Sequence, residues 1–157
     1  MGEKLQIRHA KKDELAAAAD LIVRTKRLNN EFDPLFAVVA DAKPRAEKYV
    51  QAAADTPGKL LMVAVEGSKV VGVLRAEIRE RTFYEPLMQG FISDFYILPE
   101  YRRKAMGNEM LEKASAELKK MGAEFIVADV PAQNEIANRF YVKRGFRAIS
   151  SLFGKAP

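Results

Sequence analysis

The chain has 157 residues, 48% hydrophobic and 30% charged, with a formal net charge of +5. This is the composition of a folded globular domain rather than a disordered one, and the length suits a single core, so one domain over 1–157 is expected. Cysteine is absent and His9 is the one histidine. That excludes disulfides, thiolate metal sites and a cysteine nucleophile, argues against a serine–histidine triad, and leads us to expect no metal.

No apolar run is long enough to cross a membrane, and MGEKLQIRHA lacks the apolar block of a secretory signal. Met1-Gly2 opens like a myristoylation start, but Gln6 stands where serine or threonine is needed. A cytoplasmic location is expected, with no membrane partner. The basic residues are scattered along the chain, so no nucleic-acid surface is expected.

Residues 4–9 alternate polar and apolar, as a half-buried strand does. The next stretch, to Asn29-Asn30, is rich in helix formers, with Leu15, Ala18, Leu21 and Ile22 at helical spacing. A second helix is expected from near Pro44 to before Pro57-Gly58. LLMVAV (60–65) reads as a strand buried on both faces. Gly67-Ser68 marks a tight turn into VVGVLRAEIRE (70–80). GFISDFYIL (90–98) is a third strand of this group, closed by Pro99. A long helix lies within 101–122, with Met106, Met110, Leu111, Ala114 and Leu118 as its apolar face and Gly122 as its C-terminal stop. EFIVADV (124–130) is a strand, 134–144 a short helix ended by Gly145, and 146–153 a last strand. The fold class expected is α/β (α+β): a mixed, mostly antiparallel sheet with helices on both faces, in which 90–130 forms a parallel crossover.

The segment Pro99-Glu100-Tyr101-Arg102-Arg103-Lys104-Ala105-Met106-Gly107-Asn108 joins a buried strand to the long helix. The free N–H groups of a first helical turn attract anions. Ala105 and Gly107 are small, and Arg102, Arg103 and Lys104 add positive charge. The segment therefore suits the diphosphate of a nucleotide-like cofactor, although neither GxxxxGK followed by serine or threonine nor a three-glycine dinucleotide fingerprint is present. An ordinary basic helix start fits the loop as well.

Here the sequence resembles the GNAT N-acetyltransferase superfamily. Arg102-x-x-Ala105-x-Gly107 stands in the place of the family's Gln/Arg-x-x-Gly-x-Gly/Ala. Asn134-x-x-Ala137-x-x-x-Tyr141-x-Lys143-x-Gly145-Phe146 matches a second family pattern. The resemblance is specific over 90–146 and architectural over 1–89.

It implies an acyl-CoA N-acyltransferase fold and acetyl-coenzyme A as co-substrate. Acetyl would pass to a primary amine, of a small molecule or of a protein or peptide, by direct attack in a ternary complex. The pantetheine would lie along Phe95-Tyr96-Ile97, and the diphosphate on the amides from Arg103 through Lys104, Ala105, Met106 and Gly107 to Asn108, with Arg102 beside it. Asn134 would touch the pantetheine, and Tyr141 would face the sulfur as general acid.

Asp129 and Asp94 are the candidate bases; each reads equally as a structural ion pair, and water could serve instead. A non-catalytic coenzyme-binding module, or transfer of another acyl group, remains open, and a homodimer is allowed. Phe32, Phe36, Phe83 and Tyr84 are expected in the core in preference to an acceptor site, and Glu31, Asp33 and Glu85 are solvated acids that could attract an amine. One departure from the pattern is Ala105 at the first glycine position, which costs about 1 kcal/mol if that residue has positive φ.

Overall fold

A computed structural model describes residues 4–102 and 105–157. In chain order the elements are β1 (Leu5–His9), α1 (Leu15–Asn29), α2 (Ala42–Asp55), β2 (Lys59–Glu66), β3 (Lys69–Glu80), β4 (Met88–Ile97), α3 (Met106–Lys120), β5 (Phe125–Ala128) and α4 (Glu135–Lys143). The sheet runs β1-β2-β3-β4-β5, antiparallel from β1 to β4 and parallel between β4 and β5. The parallel pair is joined through α3, because strands pointing the same way need a long crossover.

Side-chain alternation distributes the helices. A Cβ on Gly72 of β3 would come 3.2 Å from Met110 Sδ of α3. Three positions on, and therefore on the other face, Arg75 lies over the ring of Tyr49 of α2 at 4.1 Å. Thus α3 covers one face and α1 with α2 the other. Leu60 to Val65 of β2, between these layers, are all buried, as their unbroken apolar run requires. The five residues expected on the inner face of α3 are the ones the helix buries.

The last strand expected over 146–153 is not formed. Gly145 turns the chain at φ +90, Phe146 N–H closes on Tyr141 O at 3.1 Å, and residues 147–157 are exposed without a ladder partner among the described residues. Ser150-Ser151 breaks the alternation, so neither parity of this segment offers a continuous apolar face.

α3 and β5 both press on β4 at Gly90, where a Cβ would meet Ile126 Cδ1 at 3.0 Å and Leu118 Cβ at 3.1 Å. Gly90→Ala is expected to destabilise the protein by about 1–3 kcal/mol through overpacking, measured by urea unfolding.

Candidate functional site

β4 and β3 stay in register from Gly72–Ile97 to Arg75–Asp94, but the next pair is Ala76–Ile92. Ser93 is thus an extra residue, a β-bulge that increases local twist. On the other side, β5 pairs with β4 only from Gln89 to Ile92. The last contact is Asp129 N–H to Ile92 O at 3.3 Å, and Pro131 has no N–H to continue the ladder. Beyond Ile92 the β5-facing edge of β4, along Asp94, Phe95 and Tyr96, has no strand partner among the described residues. Asp94 and Tyr96 share the α1/α2 face, opposite Arg75 and Val73, as their spacing required.

The open edge leads to the start of α3. Ala105 precedes the helix with φ 58 and ψ 12, a left-handed conformation, and among the described residues its position supplies no side-chain cap to the first turn. The first helical bond runs from Glu109 N–H to Ala105 O at 3.2 Å, so the amides of Met106, Gly107 and Asn108 have no intrahelical acceptor. Arg102 folds back on β4, its Nε donating to Ile97 O at 2.9 Å. Arg103 and Lys104 lie outside the described residues.

The smallness of Gly107 has a use the sequence did not disclose. A Cβ there would come 3.1 Å from Phe140 of α4. Asn108 Oδ1 accepts from Arg144 Nε at 3.0 Å, and an open groove of about 420 Å³ lined by Asn108, Leu111, Ser115 and Phe146 runs beside this contact.

α4 is held against β4 by a chain of edge-to-face rings. Phe95 meets Phe140 at 5.8 Å, Phe140 meets Tyr141 at 5.2 Å, and Tyr141 meets Phe146 at 5.1 Å. Tyr141 is 9% exposed, and burial raises its pKa above the usual phenol range, so the hydroxyl keeps its proton. Asn134 caps α4, its Oδ1 accepting from Ala137 N–H at 3.1 Å. Its carbonyl oxygen is therefore engaged, and its amide NH₂ is the part left to meet a ligand.

The two aspartates differ sharply. Asp129 is exposed at the point where β5 leaves β4. Asp94 has a side chain with no solvent exposure; Lys26 Nζ donates to its Oδ1 at 2.5 Å and the Tyr49 hydroxyl to its Oδ2. Burial, then the Asp94 charge, pushes Tyr49 up to about 12, so Tyr49 remains a neutral donor. Arg75, also buried, donates from Nη1 to Glu77 at 2.8 Å and to Ser93 Oγ at 3.0 Å. Sequence reading missed Lys26, Tyr49, Arg75 and Ser93. A charge in the apolar run VVGVLRAEI was the available signal.

The aromatic residues expected in the core are mostly outside it. Phe83 is 88% exposed, Tyr84 65% and Phe36 43%, and only Phe32 is half-buried. Phe83 and Tyr84 lie in the connection between Glu80 of β3 and Met88 of β4, and Phe36 ends the short turn Pro34–Phe36 between α1 and α2. Glu31 and Glu85 are exposed, and Asp33 caps a short turn by accepting from Leu35 N–H at 2.8 Å. The C-terminal segment meets the 30–40 loop at Gly154, where a Cβ would come 3.4 Å from Leu35.

The sequence pattern of the Acetyltransferase (GNAT) family matches residues 25–146. The chain belongs to this GNAT family. Aminoalkylphosphonate N-acetyltransferase of Salmonella typhimurium is 26% identical over 94 residues, 60% of each protein. Among solved structures, aminoglycoside N-acetyltransferase AAC(6')-Iy in complex with CoA superimposes with a TM-score of 0.78 at 14% identity, covering 100% of this chain and 97% of the other. A predicted acetyltransferase from Clostridium acetobutylicum with acetyl-CoA gives 0.77 at 15% identity, covering 98% and 96%. The BH1408 protein of Bacillus halodurans, as a tetramutant, gives 0.83 at 18% identity, covering 97% and 99%. At these identities the structural likeness speaks for a GNAT fold alone. Among the described residues no helix is long and apolar enough to span a membrane, and no cluster of His, Asp and Glu could hold a metal ion.

As a GNAT protein the chain departs from its family's glycine at Ala105, where an L side chain occupies left-handed space. Ala105→Gly is expected to stabilise the fold by about 0.5–1 kcal/mol, the relief of strain exceeding the added unfolded-state entropy, as read from the urea midpoint.

Proposed function

We propose that this GNAT chain is a single N-acetyltransferase domain that binds acetyl-coenzyme A and passes its acetyl group to the amine of a small polar molecule. The observation that carries this reading is the pairing of an unladdered β4 edge with uncapped amides at the start of α3. The edge suits the pantetheine amides, which can bond like an added strand. The amides of Met106, Gly107 and Asn108, with the helix dipole behind them, suit the diphosphate. The CoA and acetyl-CoA complexes of structural neighbours support the same ligand. The aminoalkylphosphonate and aminoglycoside relatives favour a small-molecule acceptor.

In this mechanism the amine attacks the thioester carbon directly. Asp129, exposed where the strands part, takes the ammonium proton, by itself or through water. A free β4 amide near the bulge donates to the carbonyl oxygen as it becomes an oxyanion. The C–S bond then breaks, Tyr141 gives its proton to the thiolate, and the second proton, shed by the nitrogen as the amide forms, passes through water to restore the phenol. Asp94 has no role in proton transfer here: both its oxygens are engaged and it is shut from solvent. The acceptor enters over the 30–40 and 81–89 loops, whose exposed Phe36, Phe83 and Tyr84 line the approach.

A thiol-release assay with acetyl-coenzyme A against aminoalkylphosphonates, aminoglycosides, polyamines and peptide amines tests the reading. Turnover with a small-molecule amine is expected. Absence of any coenzyme-dependent thermal shift overturns it, and preferential turnover of another acyl-coenzyme A reassigns the donor.

Tyr141→Phe is expected to lower kcat on the order of 10²-fold with little change in the KM for acetyl-coenzyme A. Because burial raises the Tyr141 pKa, its proton is lost only above its unperturbed value, so no fall in kcat from this group is expected below about pH 10. An undiminished rate in the variant removes Tyr141 from the mechanism. Asp129→Asn is expected to reduce kcat on the order of 10²-fold, and full activity assigns its step to water.

A further inference from the structure

Resting on the acetyltransferase reading, we propose that Tyr49, Arg75 and Ser93 are positioning residues that lock the β4 bulge and thereby aim the β4 amides at the thioester. The bulge is a residue surplus, and nothing in a strand's backbone fixes where a surplus sits. Moved one residue along β4, it would turn the intervening side chain to the opposite face. Ile92 packs in the core and Asp94 against α1 and α2, so each side of Ser93 has a definite place to be held.

Ser93 Oγ is the centre of the lock. It accepts from Arg75 Nη1 at 3.0 Å, donates to Arg75 O at 3.2 Å, and lies 3.1 Å from the Tyr49 hydroxyl. Arg75 therefore grips the bulged residue with both side chain and backbone. Its guanidinium lies over the Tyr49 ring and is tied to Glu77. Tyr49 bonds Asp94, the next residue of β4, and Lys26 holds the same carboxylate from α1. Two helices and the neighbouring strand thus converge on two consecutive residues. Burying Arg75 and Asp94 is costly, and apolar side chains would fill the space as stably. What the polar set adds is direction: although Arg75 Nε is buried without a hydrogen-bond partner among the described residues, the bonds of Arg75 Nη1, Ser93 Oγ and the Tyr49 hydroxyl are made for one location of the surplus residue.

That location is also where β5 departs, one residue after the last β4–β5 pair at Ile92. A loosened bulge would leave the diphosphate seat on α3 unchanged but let the amides of Asp94 to Tyr96 wander relative to the acyl carbonyl. Because the α3 seat still holds the diphosphate, the consequence falls more on kcat, through the aim of the amides, than on coenzyme affinity, to which the β4 edge adds the pantetheine bonds.

Hydrogen–deuterium exchange of the 90–98 region and steady-state kinetics would be compared in wild type, Ser93→Ala, Ser93→Thr and Tyr49→Phe. Ser93→Ala and Tyr49→Phe are expected to speed exchange at 93–96 above the change elsewhere in the sheet. They should lower kcat about 10-fold while the KM for acetyl-coenzyme A moves less than about two-fold; Ser93→Thr, which keeps the hydroxyl, should restore both. Unchanged local exchange overturns the lock. Faster exchange with kcat intact, or a loss of kcat that Ser93→Thr does not restore, overturns its positioning role. Wild-type protein without turnover counts against the acetyltransferase reading, and the exchange data still decide the lock.

Discussion

β4 holds one residue more than β3 needs between Ile92 and Asp94, and the sheet must put that residue somewhere. Placing it at Ser93 twists the second half of β4 just where β5 runs out of ladder. One side of β4 continues to bond β3, so the strand is still anchored, while the other side is released. A sheet with a released interior edge presents backbone donors and acceptors without exposing a floppy loop. Beside that edge stand the first turn of α3 and α4, whose Phe140 meets Phe95.

The two faces of the sheet meet this constraint with different chemistry. On the α3 face the packing is apolar and close. Gly72 and Gly90 have no room for a Cβ without displacing Met110, Leu118 or Ile126. On the α1/α2 face, Lys26, Tyr49, Arg75, Glu77, Ser93 and Asp94 form a polar group under two helices. Close apolar contact fixes distance but tolerates small rotations, whereas a buried charge with one geometry of partners does not. The division explains why a polar group sits beside the bulge rather than at the centre of the core.

α4 and the α3 start depend on one another. Phe140 fills the space over Gly107 and meets Phe95 edge to face, and Arg144 reaches back to Asn108 while lying on Phe140. Ala105 meanwhile holds a conformation that alanine disfavours. A strained residue persists where its surroundings over-determine it.

The sequence by itself determined the elements and their kind. Hydrophobic period is a local property, so the inner face of α3, the fully buried β2 and the glycine stops at Gly122 and Gly145 could be read directly. The patterns Arg102-x-x-Ala105-x-Gly107 and Asn134 to Phe146 indicated the family for the same reason, since each lies within one turn or one helix. The tail was misjudged because β-branched and aromatic residues suggest a strand, while strand formation needs a partner that local sequence does not contain. Phe83 and Tyr84 were misplaced because apolar character says nothing about which loop a helix covers. Only tertiary structure decided what Asp94 does. Its carboxylate is claimed by Lys26 and Tyr49, 68 and 45 positions away in sequence, and Arg75 reaches Ser93 across 18. Partners that distant are chosen by register and helix placement, which fix the surroundings of a charge and leave no local trace.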